Sequence, residues 1–229
     1  MLFNSLFFLL LFLPAALLLT WAIERFRPRW RLPFLVVLSF VFYGWWDLRF
    51  VPLLAASIAL NWLVAEAFVR TRRESLIPSA IALNLLLLGL FKYLDFFAQL
   101  LSLIPGAHAP RFDLALPIGI SFFTFQHIAY LVDLKAGRAE PVGLLRYALY
   151  VAFFPRVLAG PLVRPREVMD QFDAAGFGAS DAPERFARAL MLLTIGLAKK
   201  VFLADALAAY VDPVYASVVA GRTPPVAEA

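Results

Sequence analysis

The sequence contains no cysteine among its 229 residues, and it contains only two histidines, His108 and His127. The absence of cysteine excludes disulfide bonds, cysteine-ligated metal clusters and cysteine nucleophiles. The two histidines are too far apart to form a metal-binding pair on successive turns of one helix. No metal site is therefore predicted.

Charged residues are also scarce, at 16% of the chain against about 25% in soluble domains. Hydrophobic residues make up 62%, which is more than a soluble globule of this length is able to bury. This composition excludes a disordered chain and a soluble enzyme, and indicates that a lipid bilayer surrounds most of the side chains. The net charge of +5 comes from arginines at the ends of apolar runs, as in membrane proteins, so no nucleic-acid partner is predicted.

Five uncharged runs are predicted to be transmembrane helices, each of which needs about 20 mainly apolar residues. These runs are 1–23, 32–46, 50–65, 75–91 and 114–132. The first run lacks a positively charged start and a cleavage site, and this pattern favours a retained helix over a cleaved signal peptide. A further run, 96–110, is predicted to be a partly immersed helix rather than a full crossing, because Pro105 and Gly106 interrupt it near its end.

Arginine clusters at 25–31 and 70–73 follow the first and third runs. Since positively charged residues favour the cytoplasmic side, both clusters are predicted to lie inside and the N-terminus outside. Trp45 and Trp46, beside Asp47, then lie at the outer membrane interface.

The alternation of runs fails after residue 140. The short apolar runs 147–155 and 157–163 are separated by Arg156, and Arg164 and Arg166 follow. A full crossing would place these arginines outside, against the positive-inside bias. Pro155 and the Gly160-Pro161 pair also break the backbone. The sequence therefore predicts a re-entrant or interfacial segment near 147–166.

Taken together, these patterns predict an all-α fold, a multi-pass transmembrane helix bundle. Residues 1–220 are predicted to form one membrane domain, and 221–229 a loop or truncated end. Ser180 is predicted to cap the N-terminus of a helix that contains Pro183 and Glu184 in its first turn.

Several polar residues lie within predicted membrane helices. Ser121, Gln126 and His127 either form interhelical hydrogen bonds or line a cavity. A role for His127 as a catalytic base is disfavoured, because no orienting carboxylate or nucleophile is recognisable nearby. Asn61 and Asn84 are predicted to pair their helices.

Cationic residues form the second set of candidates. Arg156 and Arg164 either anchor the chain to anionic lipid headgroups or bind an anionic acyl carrier or donor through their planar guanidinium groups. Lys199 and Lys200 are predicted to be interfacial, at a helix end where their side chains extend to water.

Several segments, in this order, resemble the bacterial branch of the membrane-bound O-acyltransferase (MBOAT) family, which includes alginate O-acetyltransferases and the D-alanyl transfer protein of teichoic acids. The resemblance rests on Phe3-Asn4-Ser5 with Phe12-Leu13-Pro14, Ser39-Phe40 with Phe42-Tyr43-Gly44-Trp45-Trp46, Asn84 with Phe91-Lys92-Tyr93, Leu116-Pro117-Ile118-Gly119-Ile120-Ser121-Phe122 with Phe125-Gln126, Tyr130-Leu131-Val132-Asp133, Phe153-Phe154-Pro155 with Ala159-Gly160-Pro161 and Arg164, and Gly196 with Lys199-Lys200-Val201 and Ala204-Asp205.

The resemblance implies an enzyme of the bacterial cytoplasmic (inner) membrane that moves an acetyl or related acyl group toward an exported polysaccharide or cell-wall polymer. It implies an acyl donor, acyl-CoA or an acyl carrier, as co-substrate rather than a bound cofactor. It also implies an extracytoplasmic partner that completes the transfer. Ser121, Gln126, His127, Arg156 and Arg164 become candidates for a tunnel or donor-binding site.

The family pattern places its catalytic histidine in a later stretch, after a Trp-His pair that does not occur here. An Asp-Phe-Ser-Gly-Tyr segment is also absent. No catalytic residue is therefore assigned, and the chain is expected to be an N-terminal portion that is inactive alone. Two alternatives stay open: a non-enzymatic membrane module, such as a transporter half or export-complex subunit, and a non-functional fragment.

Overall fold

The computed structural model describes residues 3–101, 112, 114–158, 160, 163–173 and 180–221. Within this part of the chain the regular structure is helical, as predicted. The helices are α1 (Leu13–Phe26), α2 (Arg31–Gly44), α3 (Val51–Thr71), α4 (Leu76–Leu101), α5 (Ile120–Lys135), α6 (Leu144–Ala152), α7 (Pro165–Asp173), α8 (Ala182–Ala198) and α9 (Asp205–Val219). A π-helical turn, Phe8–Phe12, precedes α1, and short 3₁₀ turns precede α2 and α3.

Three helical stretches of the described residues are long and apolar enough to cross a membrane. They are Phe8–Phe26, Leu48–Thr71 and Leu76–Leu100, and they coincide with the first, third and fourth predicted runs. Large apolar side chains on these helices are exposed, among them Leu18, Leu63 and Leu86. Lipid is the solvent that suits such surfaces.

The second and fifth predicted runs form shorter helices, α2 with 14 residues and α5 with 16. At 1.5 Å per residue these helices are about 21 Å and 24 Å long, less than the roughly 30 Å of hydrocarbon. Helix α5 begins late because Gly119, which precedes it, has a left-handed backbone conformation with φ +73°. That α2 and α5 cross the bilayer stays a prediction.

The first part of the run 96–110 is helical and continues α4, which extends without a break to Leu101. Lys92 and Asp95 do not end the helix, since neither residue disrupts the backbone hydrogen bonds. The Asp95 carboxylate instead accepts a hydrogen bond from the backbone amide of Phe112, at 2.8 Å. Residues 102–111 lie outside the described part of the chain.

The chain divides into two compact units, Met1–Ala174 and Ala175–Ala229. In the first unit α2, α3 and α4 run up and down in sequence, so their connections alternate between two ends. The arginine end carries the clusters 25–31 and 70–73, and the tryptophan end carries the turn with Trp45 and Trp46. Lys135, at the end of α5, forms an ion pair of 2.9 Å with Glu74, so α5 also finishes at the arginine end.

The segment 144–173, called here the re-entrant hairpin, contains α6 and α7. Contacts along α2 trace its path: the amide of Phe154 donates to Ser39 Oγ at 3.2 Å, halfway along α2. The Val157 carbonyl then lies against Gly119, near the tryptophan end. The chain returns to the arginine end, where Arg31 donates a hydrogen bond to the Phe172 carbonyl. This path matches the re-entrant segment predicted near 147–166.

Aromatic rings fix the hairpin to α1 and α2. Phe154 packs edge-on against Phe12, with ring centroids 5.4 Å apart, and at an angle against Phe42, at 5.6 Å. Phe42 is 1% exposed and also contacts Phe8. Such ring pairs contribute beyond the area that they bury, so this cluster holds the hairpin in place.

In the second unit, α8 and α9 are joined by a π-helical stretch, Lys199–Ala204. Helix α8 begins at Ala182 with Asp181 at the N-cap and no side-chain cap bond, so the prediction that Ser180 is the cap is wrong. Asp181 instead pairs with Arg185 one turn later, at 3.2 Å. The predicted single domain over 1–220 stays a prediction, and residues 222–229 lie outside the described part.

Candidate functional site

His127 lies at the centre of a network that joins three helices of the first unit. The His127 side chain is fully buried, and its Nδ1 lies 2.6 Å from the Tyr147 hydroxyl of α6. Its Nε2 lies 3.3 Å from Ser57 Oγ of α3. The Ser57 hydroxyl also donates to the Leu54 carbonyl at 2.8 Å. We call Ser57, His127 and Tyr147 the closed network, because both ring nitrogens of the histidine have partners.

The neighbouring residue Gln126 belongs to a different arrangement, which we call the open network and which consists of Gln126, Tyr150 and Arg156. The Tyr150 hydroxyl lies 3.4 Å from the backbone carbonyl of Gln126 and 3.3 Å from that of Val163, and the Tyr150 carbonyl accepts from Arg156 Nη2, at 3.0 Å. Three buried atoms of this network have no hydrogen-bond partner: Gln126 Oε1, Arg156 Nε and Arg156 Nη1. A buried polar atom left in this state costs about 1–3 kcal/mol.

The tip of the re-entrant hairpin is held close to the start of α5. A Cβ atom on Gly119 would lie 2.5 Å from the Val157 carbonyl oxygen, so only glycine allows this approach. The Tyr43 hydroxyl donates to the Ile118 carbonyl at 3.1 Å and joins the same region to α2. These contacts bring Arg156, one residue before Val157, to the tip.

Cavities lie at both ends of the hairpin. A cavity of about 320 Å³ adjoins the tip and is lined by Ser121, Lys92 and Leu158, with Gly119 and Trp46. A polar cavity of about 370 Å³ lies at the arginine end, lined by Arg138, Glu140 and Arg146, with Pro165 and Met169 of α7. The Arg138 guanidinium pairs with Asp133 at 2.9 Å.

The structure therefore separates the residues that the sequence proposed together. Gln126, His127 and Arg156 lie in the two networks between α5 and α6, whereas Ser121 lines the cavity at the tip. Arg164 is exposed just before α7, and the side chain of Arg166 is outside the described part.

The remaining polar candidates have local partners. Lys200 Nζ contacts both carboxylate oxygens of Asp205, at 2.5 and 2.6 Å, and Lys199 is exposed beside it. The predicted pairing of α3 with α4 is confirmed, since Asn61 and Asn84 exchange hydrogen bonds of 3.2 and 2.7 Å. Within the described residues, no three His, Cys, Asp or Glu side chains lie together as a metal site would require.

Sequence reasoning missed Ser57, Tyr147 and Tyr150, which bond to the predicted residues. One signal was available. Tyr147 and Tyr150 are three residues apart, and Ser57 lies four residues before Asn61, so each pair shares one face of its helix. Polar groups on the same face of an apolar helix indicate that this face meets other polar groups.

Comparison with known proteins places these features in a family. A sequence model of the membrane-bound O-acyltransferase family, MBOAT, matches residues 89–218. The chain is 35% identical to the peptidoglycan O-acetyltransferase of Helicobacter pylori, over 93% of this chain and 46% of that protein. It is 36% identical to the probable alginate O-acetylase AlgI of Pseudomonas aeruginosa, over 94% of this chain and 42% of that protein.

The probable alginate O-acetylase AlgI of Azotobacter vinelandii is 34% identical, over 94% of this chain and 44% of that protein. The chain thus spans less than half the length of these relatives. No solved structure matches it significantly. The family match covers more than half of the chain and includes α5, the re-entrant hairpin and the open network, and on this ground the chain belongs to the membrane-bound O-acyltransferase family.

Proposed function

We propose that this chain is the N-terminal part of an O-acyltransferase that moves an acetyl or related acyl group toward an exported polysaccharide or cell-wall polymer. The observation that carries the proposal is the match of 93% of the chain to 46% of a peptidoglycan O-acetyltransferase. The geometry is consistent with such a role, because cavities flank the re-entrant hairpin at both ends, a polar one at the arginine end and a mainly apolar one at the tip.

The chain is proposed to be inactive alone. Acyl transfer to a hydroxyl group needs a base for the hydroxyl proton and hydrogen-bond donors for the developing oxyanion. His127 is fully buried, both of its ring nitrogens have partners, and those partners are hydroxyl groups rather than a carboxylate. A base in this position has no route to a substrate hydroxyl.

In this proposal the described residues bind and guide substrates. Members of the family use acyl donors as co-substrates, and the donor here would be acyl-CoA or an acyl carrier. Arg156 and Arg164 are the proposed donor-binding residues, because guanidinium groups bind phosphate and carboxylate. Ser121, Gln126 and His127 are the proposed lining residues.

The proposed setting is the bacterial inner membrane, with an extracytoplasmic partner that completes the transfer. Lys199 and Lys200 are proposed to lie at the membrane interface.

A chimaeric protein tests the function. Residues 1–218 are fused to the C-terminal portion of the Helicobacter pylori relative and expressed in that bacterium after deletion of its own gene. We expect the fusion to restore peptidoglycan-bound acetate, measured after mild alkaline release. This chain alone and the C-terminal portion alone, expressed at matched levels, should not restore it.

Two outcomes would contradict the proposal. Acetylation by this chain alone would show that the described half contains its own catalytic base. A membrane-inserted fusion that restores no acetate would instead favour the alternative, a non-enzymatic module such as a transporter half or export-complex subunit.

The N-terminus is proposed to lie outside the cytoplasm, because the arginine end contains both clusters that favour the inside. The absence of cysteine makes a labelling test free of background. Single cysteines replace the exposed residues Leu48 and Ser75, which lie at opposite ends of α3 and its flanking turns. An impermeant maleimide should label Leu48→Cys in intact cells and Ser75→Cys only after permeabilisation; the reverse pattern would invert the orientation.

A further inference from the structure

We propose that the guanidinium group of Arg156, at the tip of the re-entrant hairpin, is a binding site for a single oxyanion, either a phosphate or a carboxylate. The proposal deepens the donor-binding role suggested above. It rests on that role only for the identity of the natural ligand, since anion binding is measurable without acyl transfer.

The first argument is the set of donors that remain free. Arg156 donates one hydrogen bond, from Nη2 to the Tyr150 carbonyl, while Nε and Nη1 are buried and have no partner. A guanidinium has five N–H donors arranged along two edges, and Nη2 contributes one hydrogen to each edge. Whichever hydrogen the Tyr150 carbonyl accepts, one complete edge with two parallel donors stays available. This is the geometry that binds a carboxylate or phosphate through two oxygens.

The second argument is the unbalanced charge. The hydrogen bond of Arg156 goes to a neutral group, and no carboxylate of the described residues forms an ion pair with it. Half-buried Arg31, in contrast, forms an ion pair with Glu24 at 3.8 Å. A buried cation without an anion is unfavourable, and an anionic ligand supplies what the protein does not.

The third argument is the position. Val157, the next residue, is held against Gly119, so the backbone that carries Arg156 is fixed rather than free to move the side chain into water. The cavity of about 320 Å³ at the tip is lined by Leu158, two residues after Arg156, and by Lys92, but not by Arg156 itself. Lys92 thus adds a second cation at the same end of the hairpin.

Gln126 distinguishes this site from a simple lipid anchor. Its Oε1 atom is buried, accepts no hydrogen bond, and belongs to the residue whose carbonyl receives the Tyr150 hydroxyl. A ligand with a hydroxyl or amide donor that reaches both groups would satisfy this acceptor as well. The open network thus contains, besides the free guanidinium edge, a second buried group without a partner.

The test uses the full chain with ¹⁵N-labelled arginine in phosphate-free maltoside micelles. Inorganic phosphate and acetate are titrated separately, and the Nε–H signal of Arg156, assigned by its loss in Arg156→Lys, is followed by NMR. Arg188 is the matched control, because its guanidinium is exposed and pairs with Glu184 at 3.3 Å. A third arm adds phosphatidylglycerol to the micelles before the titration.

We expect the Arg156 signal to shift saturably with at least one of the two anions, with half-saturation at a concentration at least about tenfold lower than any effect on Arg188. If phosphatidylglycerol alone produces the shift and blocks the later titration, the oxyanion is a lipid headgroup. If it does neither, the oxyanion belongs to a soluble ligand.

The proposal would be overturned if the Arg156 signal shifted no more than the Arg188 signal in every arm of the titration. This result would mean that the free edge of Arg156 binds no anion. This result would leave the proposed acyltransferase function untouched, because the chimaeric fusion is scored by acetate release alone. Conversely, an inactive fusion would not remove a saturable NMR shift.

Discussion

The closed and open networks share helices α5 and α6 but differ in how completely their hydrogen bonds are made. Gln126 and His127 are adjacent in α5, and Tyr147 and Tyr150 are one turn apart in α6. Yet both ring nitrogens of His127 have partners, whereas Gln126 Oε1 and two nitrogens of Arg156 have none. Folding alone favours satisfied polar groups. The closed network therefore serves the fold, and the open network is retained at a cost that the fold does not explain.

The difference has an energetic consequence. Removing one member of a satisfied network leaves its buried partner without a bond, which costs more than the bond itself contributes. Removing an atom that already lacks a partner carries no such cost. The two networks should therefore respond oppositely to substitution, and the following changes test this from the largest expected effect to the smallest.

Gly119→Ala should have the largest effect, because it separates the hairpin tip from α5 and disturbs both networks together. The new Cβ would lie 2.5 Å from the Val157 carbonyl, in a backbone conformation with φ +73°. We expect a loss of about 3 kcal/mol or more in the free energy of unfolding, from strain and overlap together. The measurement is reversible unfolding in mixed micelles with increasing dodecyl sulfate.

Gly137→Ala is the matched control for this change. Gly137 also has a positive φ, +69°, but nothing lies within 4 Å of the added Cβ. Only the backbone strain remains, and we expect a loss of about 1 kcal/mol. Equal losses for the two variants would show that the contact between Gly119 and Val157 does not hold the hairpin.

His127→Phe should have an intermediate effect, through the closed network. It leaves the fully buried Tyr147 hydroxyl without a partner, while Ser57 keeps its bond to the Leu54 carbonyl. We expect a loss of about 2 kcal/mol in the same unfolding assay. The double variant His127→Phe with Tyr147→Phe should lose less than the sum of the single losses. Additive losses would mean that the two side chains do not interact.

Gln126→Leu should have the smallest effect, within about 0.5 kcal/mol of the unsubstituted chain, since Gln126 Oε1 has no bond to lose. The matched control is Asn61→Leu, which removes a side-chain amide that does have hydrogen bonds. This change leaves Asn84 without its partner on α3. For that variant we expect a loss of about 1–2 kcal/mol, again by dodecyl sulfate unfolding. A loss for Gln126→Leu as large as for Asn61→Leu would remove the distinction between the networks.

The helical fold was predictable because each helix corresponds to a continuous stretch of sequence with its own apolar composition and its own backbone-breaking residues. Uncharged apolar runs predicted the positions of α1 to α5, and the breaks at Pro155 and Gly160 predicted the change of direction near the hairpin tip. The extent of α4 was not predicted, because Lys92 and Asp95 interrupt the uncharged run without ending the helix. Charge marks a boundary between environments, which need not be a boundary of secondary structure.

The networks were only partly predictable. Polar residues in apolar helices identified Gln126 and His127, but not the partners that they find. Ser57 and His127 are 70 residues apart in sequence, and Ser39 and Phe154 are 115 apart, so no periodic pattern connects them. The partners follow from how the hairpin packs on α2 and α5. This packing depends on Gly119 and on a cluster of aromatic rings, and the sequence pattern does not show which of these rings contact one another.

The path of the re-entrant hairpin also affects how membrane crossings are counted in the first unit. Because segment 144–173 begins and ends at the arginine end, it adds an even number of passages to that unit. A hydropathy count that scored 147–163 as one crossing would place the two ends of this segment on opposite sides of the membrane.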